Sequence, residues 1–245
     1  MMTDREEATL SLGTQHFKEA NERVHRALDS FDTVELRDVF AQRYLGCAMP
    51  QGKTLLIHGT PGNDMASYMD GGSIEVFGNA QDQIGNTMND GTIVVHGRCG
   101  DAAGYAMRGG SIFIRDDCGW RVGIHMKQYE RKCPCVVIGG NAGNFLGEYL
   151  AGGIIVLLGV AGEYLATGMH GGVIYLKNRL DEDRVLPGLV QEEVDEADRE
   201  VLGRLLREYN RCFAEDLGTA VDETGEGFYR LHPESSRPYA AMYAN

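Results

Sequence analysis

Residues 85–97 read GNTMNDGTIVVHG, and nineteen positions further on the same phrase returns as GYAMRGGSIFI at 104–114. The spacing governs the middle of the chain: Leu55, Ile74, Ile93 and Ile112 stand nineteen apart, as do Val136, Ile155 and Ile174. From Ile112 to Val136 the step is twenty-four, so five residues are inserted once. Two places after each anchor comes a second aliphatic (Ile57, Val76, Val95, Ile114, Ile138, Leu157, Leu176), and then often a glycine, as at Gly59, Gly78, Gly97, Gly140 and Gly159. Upstream the columns are as regular. Met69, Met88, Met107, Leu150 or Met169 stands five before the anchor, Ala66, Gly85, Gly104, Gly147 or Ala166 eight before, and Gly62, Gln81, Gly100, Gly143 or Gly162 twelve before. The long repeat keeps Gly119, Gly123 and Met126, which confines its extra residues to Lys127–Cys135.

A unit this short holds one alternating strand and two or three glycine corners, so it cannot close a core alone; stacked units would bury the anchors in one column. Propeller blades and helical-hairpin repeats need roughly thirty to fifty residues. Glycine at these positions would also cost a helix about 1 kcal/mol each. What remains is an all-β core, a single-stranded β-helix of about seven coils rising ~4.8 Å per coil. Small residues eight and twelve before the anchor then allow φ > 0 and close approach of successive coils. Methionine five before is a flexible filler stacked on its own kind. Pairs such as Gly71-Gly72, Asp90-Gly91, Gly109-Gly110, Gly152-Gly153 and Gly171-Gly172 are turn chemistry ahead of each strand.

Outside the repeats the chain reads as covers. Residues 1–13 look like a loose start, and Phe17, Ala20, Val24, Leu28 and Phe31 recur at helical spacing over 15–31. Thr33–Val39 is β-like, and Leu36, nineteen before Leu55, suggests a degenerate first turn. After Leu176 a connection leads to a second amphipathic helix marked by Val194, Ala197, Val201, Leu205 and Tyr209, with Gly203 as its weak point. A β-helix leaves an apolar, unpaired coil at each end, and the two flanking helices are the natural caps. An aromatic tail (Phe228, Tyr229, Tyr239, Tyr243, with Pro233 and Pro238) is expected to dock on its own domain. The organisation expected is therefore 1–33 as tail and capping helix, 34–177 as the glycine-repeat β-helix, and 178–245 as an acidic helix and aromatic tail.

Composition sets outer limits. Thirty-three glycines among 245 residues, about twice the ordinary share, come without a G-X-Y period and so punctuate structure. The formal charge of -13 argues against a general binder of nucleic acid or anionic membrane. From Asp181 onward there are sixteen acidic and seven basic residues, so most of that excess sits in the last segment. No long apolar run exists and the opening MMTDREEATL carries acids where a signal peptide carries base and apolar residues, which leads us to expect a soluble cytoplasmic protein. Six cysteines without a dense framework are expected to be reduced.

The phrase Gly143-Asn-Phe-Leu-Gly147-Glu-Tyr-Leu150-Ala-Gly152-Gly153-Ile-Ile155-Val-Leu157-Leu-Gly159 resembles the glycine-repeat (GXGXG) domain that ends the large subunit of glutamate synthase. HGTPGND at 58–64, GNTMNDG at 85–91, GIHMKQYE at 123–130, GEYLAGG at 147–153 and GMHGGVIY at 168–175 are similar to stand-alone archaeal-type versions of that domain. The same repeat occurs in the glycine-repeat subunit of formylmethanofuran dehydrogenase and in a subunit of N-methylglutamate synthase. The resemblance implies a right-handed β-helix with nineteen-residue repeats and no catalytic, cofactor or metal residues of its own. The matching positions are structural: Gly78, Gly85, Met88, Gly97, Gly100, Gly104, Met107, Gly140, Gly143, Gly147, Gly159, Gly162 and Met169. It further implies, as partners, a glutamine amidotransferase subunit and an FMN-dependent synthase subunit that would carry FMN and an iron–sulfur cluster. Self-association into a homo-oligomer is compatible with it.

Four features invite other chemistry. Val136–Gly143 imitates a dinucleotide loop, but another repeat follows in register where a Rossmann unit needs a helix. Cys133-Pro-Cys135 lacks the second pair of a zinc site, yet stands at the end of the insertion, where local reactivity or a small-molecule cleft would find room. Cys99 and Cys118 share a column with Ala80, Ala142 and Ala161, which makes them stacked small core residues within disulfide reach. His58 and His96 share another column roughly 10 Å apart, while His125 and His170 fall in turn columns, so the histidines do not converge. No serine has a nucleophile-elbow context, and the chain opens Met1-Met2-Thr3 without the leading cysteine of an amidotransferase.

Overall fold

The structure, a computed structural model, describes residues 7–235. Seven parallel strands carry the repeats: β3 (Thr54–Thr60), β4 (Asp70–Phe77), β5 (Asp90–Val95), β6 (Ser111–Ile114), β7 (Cys135–Ile138), β8 (Ala151–Leu157) and β9 (Gly171–Leu176), preceded by β1 (Glu7–Gly13) and β2 (Thr33–Phe40). The anchors pair in sequence, Leu55 with Ile74, Ile74 with Ile93, Ile93 with Ile112, Ile112 with Val136, Val136 with Ile155 and Ile155 with Ile174. Hence the five-residue excess leaves the ladder unshifted. The anchors and the aliphatics two places on fill one continuous interior, to which Met69, Met88, Met107, Met126 and Met169 also belong. With β2 as a further turn, the molecule is a β-helix of eight coils flanked by two helices.

Three expectations about the flanks are corrected. Residues 7–13 are a strand, not a loose start, while residues 1–6 lie outside the described residues: β1 lies parallel to β2, with Leu10 opposite Leu36. Its alternation Ala8-Thr-Leu10-Ser-Leu12 sends Leu12 into the core, where it is 2% exposed. The first turn is two residues longer than the repeat, so Val34 meets Leu55 and Leu36 meets Ile57, not Leu55. Helix α1 (Phe17–Ser30) does close that end, burying Ala20, Val24 and Leu28 in the same interior.

The second helix caps no end. Strand β11 (Tyr229–Pro233) pairs antiparallel with β9, and β10 (Leu189–Glu193) pairs antiparallel with β11, so the sheet continues there through one reversed strand and a last strand that again runs with the coils. Helix α2 (Glu196–Leu217) lies instead along the outer face, where Leu202, Leu205, Leu206, Tyr209 and Phe213 pack on Val94, Phe113, Val137, Val156 and Tyr175. It runs back down the solenoid: Tyr175 Oη on β9 donates to Asp198 near its start (2.7 Å), and His96, just past β5, meets Asp216 near its end (2.6 Å). Asp195 and Asp198 form a reciprocal capping box at the start, and Gly218 closes the end in a left-handed conformation. Gly203 has a packing reason, because a β-carbon there would lie 2.9 Å from the Glu223 carbonyl oxygen. Of the aromatic tail, Phe228 is buried on this second core and Tyr229 pairs with Leu176, while Tyr239 and Tyr243 lie outside the described residues.

Candidate functional site

The repeat columns have separate physical reasons. Gly85, Gly104 and Gly147, eight before their anchors, turn with φ near +67 to +70°, the left-handed region. Met88, Met107 and Met169 fill the interior beneath that corner. Gly97, Gly100, Gly140 and Gly162 have no such φ. There a β-carbon would strike an Asp or Asn of the previous coil: Asn79 Oδ1 at 2.5 Å for Gly97, Asn144 Oδ1 at 2.5 Å for Gly162, Asp82 for Gly100 and Asp117 for Gly140. Gly143 lies against the Trp120 ring, Gly159 against the Gly140 backbone, and Gly78 under the Gly59 carbonyl.

Those Asp and Asn oxygens accept backbone N–H groups from the coil above. Asn79 accepts from Arg98 (2.9 Å), Asp82 from Asp101 (2.9 Å), Asp101 from Trp120 (2.8 Å), Asp117 from Asn141 (2.8 Å), Asn141 from Val160 (2.9 Å) and Asn144 from Glu163 (2.9 Å). Where the backbone turns away from the sheet, a side-chain ladder satisfies donors that the strands do not. The pairs Asp82 and Asp101, and Asn79 and Arg98, stand nineteen apart in the sequence, but this column mixes residue types and carries no signal as plain as that of the glycines.

Chemistry-bearing residues are dispersed. His58, Phe77 and His96 stack in one column with centroids 4.7 and 5.1 Å apart, so a phenyl ring separates the two imidazoles. His96 is held between Glu75 (2.8 Å) and Asp216 (2.6 Å), His58 beside Glu35 (3.0 Å), and His170 against its own turn. Among the described residues no group of His, Cys, Asp and Glu is arranged to hold a metal ion. Cys99 and Cys118 are adjacent in the ladder Ala80–Cys99–Cys118–Ala142–Ala161 and are free thiols. Burial pushes the Cys99 thiol up to about 12, and Cys118 well above its ordinary value. The loop after β7 leads into another coil, and Gly139 makes room for Tyr209, whose hydroxyl donates to the Arg115 carbonyl (3.1 Å).

Two surface features remain. One is an aromatic edge on the turn that straddles the left-handed glycine. Tyr105, His125 and Tyr149 form a run of ring contacts (6.0 and 5.2 Å), Phe145 stacks on Tyr164 (5.0 Å), and Arg121 lies over Phe145 while paired with Glu148 (3.0 Å). Trp120, Tyr68, Tyr149 and Tyr164 are largely exposed there. Aromatic residues and arginine exposed together are the composition of protein interfaces.

The other is the insertion. Tyr129 and Lys132 exchange backbone hydrogen bonds (3.1 and 2.9 Å) in a tight hairpin, and Lys132 Nζ reaches Asp70 and Asp90 (3.2 Å each), pinning the hairpin over the approaches to β4 and β5. Cys133 emerges half-buried beside two cavities, one lined by Arg131, Cys135, Arg204 and Glu208, the other by Gln128, Asp198, Arg230 and His232. A hydrogen bond from the Cys135 thiol, helped by the Arg204 charge, lowers the Cys133 thiol to about 7, whereas Cys135 is pushed up. Among the described residues no helix is long and apolar enough to cross a membrane.

Comparison with known proteins places this geometry. The uncharacterized protein MJ1350 of Methanocaldococcus jannaschii is 37% identical over 258 residues, covering 99% of this chain and 98% of that protein. Among solved structures, a chain of the formyltransferase/hydrolase complex of Methylorubrum extorquens, determined with methylofuran, shares the fold with a TM-score of 0.63 at 22% identity, covering 89% of each chain. The GXGXG motif family matches residues 14–226, and with the glycine columns and their coil-to-coil contacts accounted for, the chain belongs to that family.

Proposed function

We propose that this chain is a non-catalytic scaffold subunit of a glutamate synthase-type complex, holding a glutamine amidotransferase chain and an FMN-dependent synthase chain so that ammonia passes between them. The observation that carries the reading is the occupation of the repeat columns. Inner positions are aliphatic, and the turn columns hold glycine or Asp and Asn already committed to the next coil. Little of the coil surface is left for a reaction centre, while the aromatic edge offers a stiff contact surface at low entropic cost. FMN and the iron–sulfur cluster then belong to the partner chains, and no cofactor is assigned to this one.

A second reading, the glycine-repeat subunit of a formylmethanofuran dehydrogenase-type complex, is favoured by the fold shared with the formyltransferase/hydrolase chain. Affinity capture of the native protein separates the two. Amidotransferase and flavin-dependent chains in the eluate support the first, and molybdopterin and amidohydrolase chains the second. Capture of neither, with glutamine-dependent glutamate formation intact after deletion of the gene, removes both. Trp120→Ala combined with Tyr164→Ala should abolish capture without lowering thermal stability if the aromatic edge is the docking surface.

A further inference from the structure

Cys133 differs from the other five cysteines in surroundings as well as in chemistry. Cys99 and Cys118 are enclosed in the coil interior, and the half-buried Cys47 and Cys212 are pushed up by desolvation. Cys133 stands at the junction of two cavities of about 400 and 460 Å³. Directly behind it is Cys135, 4% exposed and fixed at the head of β7 by its N–H bond to the Gly110 carbonyl (3.0 Å). Cys135 Sγ lies 3.4 Å from the Cys133 carbonyl oxygen, which holds the second thiol close behind the first, and both cysteines line the smaller cavity. The first cavity is cationic in balance: Glu208 on its wall is paired to Arg211 (2.7 Å), whereas Arg131 and Arg204 have no ion pair among the described residues.

We propose that Cys133 and Cys135 form a thiol–disulfide exchange site for small disulfides bearing carboxylates, with Cys133 as the attacking and Cys135 as the resolving sulfur. A thiolate on a cavity wall that also carries a guanidinium, with a second thiol two residues on lining the same cavity, is the arrangement this chemistry requires. The Cys133 thiolate attacks one sulfur of RS–SR, the S–S bond breaks, and the departing RS⁻ takes a proton from water as the mixed disulfide forms. Cys135 then gives up its proton and attacks the Cys133 sulfur, and the second R–S group leaves as a thiol. Two electrons and two protons pass from the protein dithiol to the small disulfide. A bridge across one intervening residue closes a short ring and is readily reversed by thiols. The inference is independent of the scaffold reading, because it concerns the purified chain alone.

The test uses the reduced, folded full chain. At about pH 7.5, iodoacetamide should label Cys133 roughly ten-fold or more faster than Cys47 or Cys212. With oxidised glutathione, peptide mass spectrometry of the wild-type chain should show loss of two hydrogens across Cys133–Cys135 without a stable adduct, restored by dithiothreitol. Cys135→Ser should trap one glutathione on Cys133, and Cys133→Ser should take none. Arg204→Ala should slow exchange with oxidised glutathione more than with the cationic disulfide cystamine. Labelling of Cys133 no faster than that of Cys47, or a stable glutathione adduct on Cys133 in both wild type and Cys135→Ser, would overturn the proposal. Equal slowing of both disulfides by Arg204→Ala would overturn the carboxylate preference.

Discussion

Ile155 and Val156 are neighbours in β8 and both are fully buried, yet they answer to different partners. Ile155 points into the solenoid, where every coil offers an equivalent aliphatic; Val156 points outward and is covered only because α2 lies across it. The inner column is uniform from Leu55 to Ile174, whereas the outer one changes character along its length: Glu35, Leu56 and Glu75 give way to Val94, Phe113, Val137, Val156 and Tyr175. The change falls where α2 ends, and Glu75 there meets His96, which in turn holds Asp216. The inner column therefore specifies the coil, and the outer column specifies how far the helix reaches.

The sharpest way to break this distinction is within one strand. Ile155→Ala should cost about 2–5 kcal/mol of global stability by opening a cavity between coils, read as a lowered denaturation midpoint with protection lost throughout β7–β9. Val156→Ala should cost about 1–2 kcal/mol and act locally: hydrogen exchange should rise over 196–217 while the strands stay protected. Equal losses of protection in both variants would show that helix and coils unfold as one unit.

The two glycine columns sharpen the same comparison between repeated and particular contacts. Gly100→Ala should cost about 1 kcal/mol by displacing Asp82 from the Asp101 N–H, and adding Asp82→Ala should recover part of that loss in a double-mutant cycle. Gly85→Ala should be milder than its left-handed φ suggests, since Ala66 and Ala166 occupy the same column at φ 61° and 58°. The smallest effect is the end of the helix. Asp216 is held below its ordinary range, first by the hydrogen bond from His96 and then by Arg115. Its folded-state pKa is depressed, so its contribution is present above the unfolded carboxylate value and is lost as pH falls through the folded one. Asp216→Asn should accordingly flatten the acid limb of the stability curve, detected as less pH-dependent protection at the C-terminal turn of α2.

The register of seven strands was legible because each coil repeats its anchor at a fixed interval, and the insertion could be bounded because the columns resume after it. The first strand was not, although Ala8, Leu10 and Leu12 alternate, because its partner lies beyond a helix and no period links them. The seat of α2 was also written in the chain, in the residue after each anchor, but an apolar column signals that something covers it without saying what. The reversed pairing of β10 and β11 carries no periodic signal: whether five residues such as Tyr229–Pro233 join β9 is decided by an edge that exists only after folding. For the insertion, the sequence located Cys133 and Cys135 but not the cavities or Arg204, which comes from a helix seventy residues further on.

The two strands added at the end of the sheet have a consequence for growth. A ladder of parallel coils could in principle be extended by the next molecule, first coil onto last, without limit. Here the last coil is followed by two strands that form no coil of their own, and the outermost, β10, presents Glu192 and Glu193, with Glu192 engaged by Arg230 and His232. An incoming strand would meet an acidic row where each inner coil offers its neighbour an apolar one, so the stack carries its own stop.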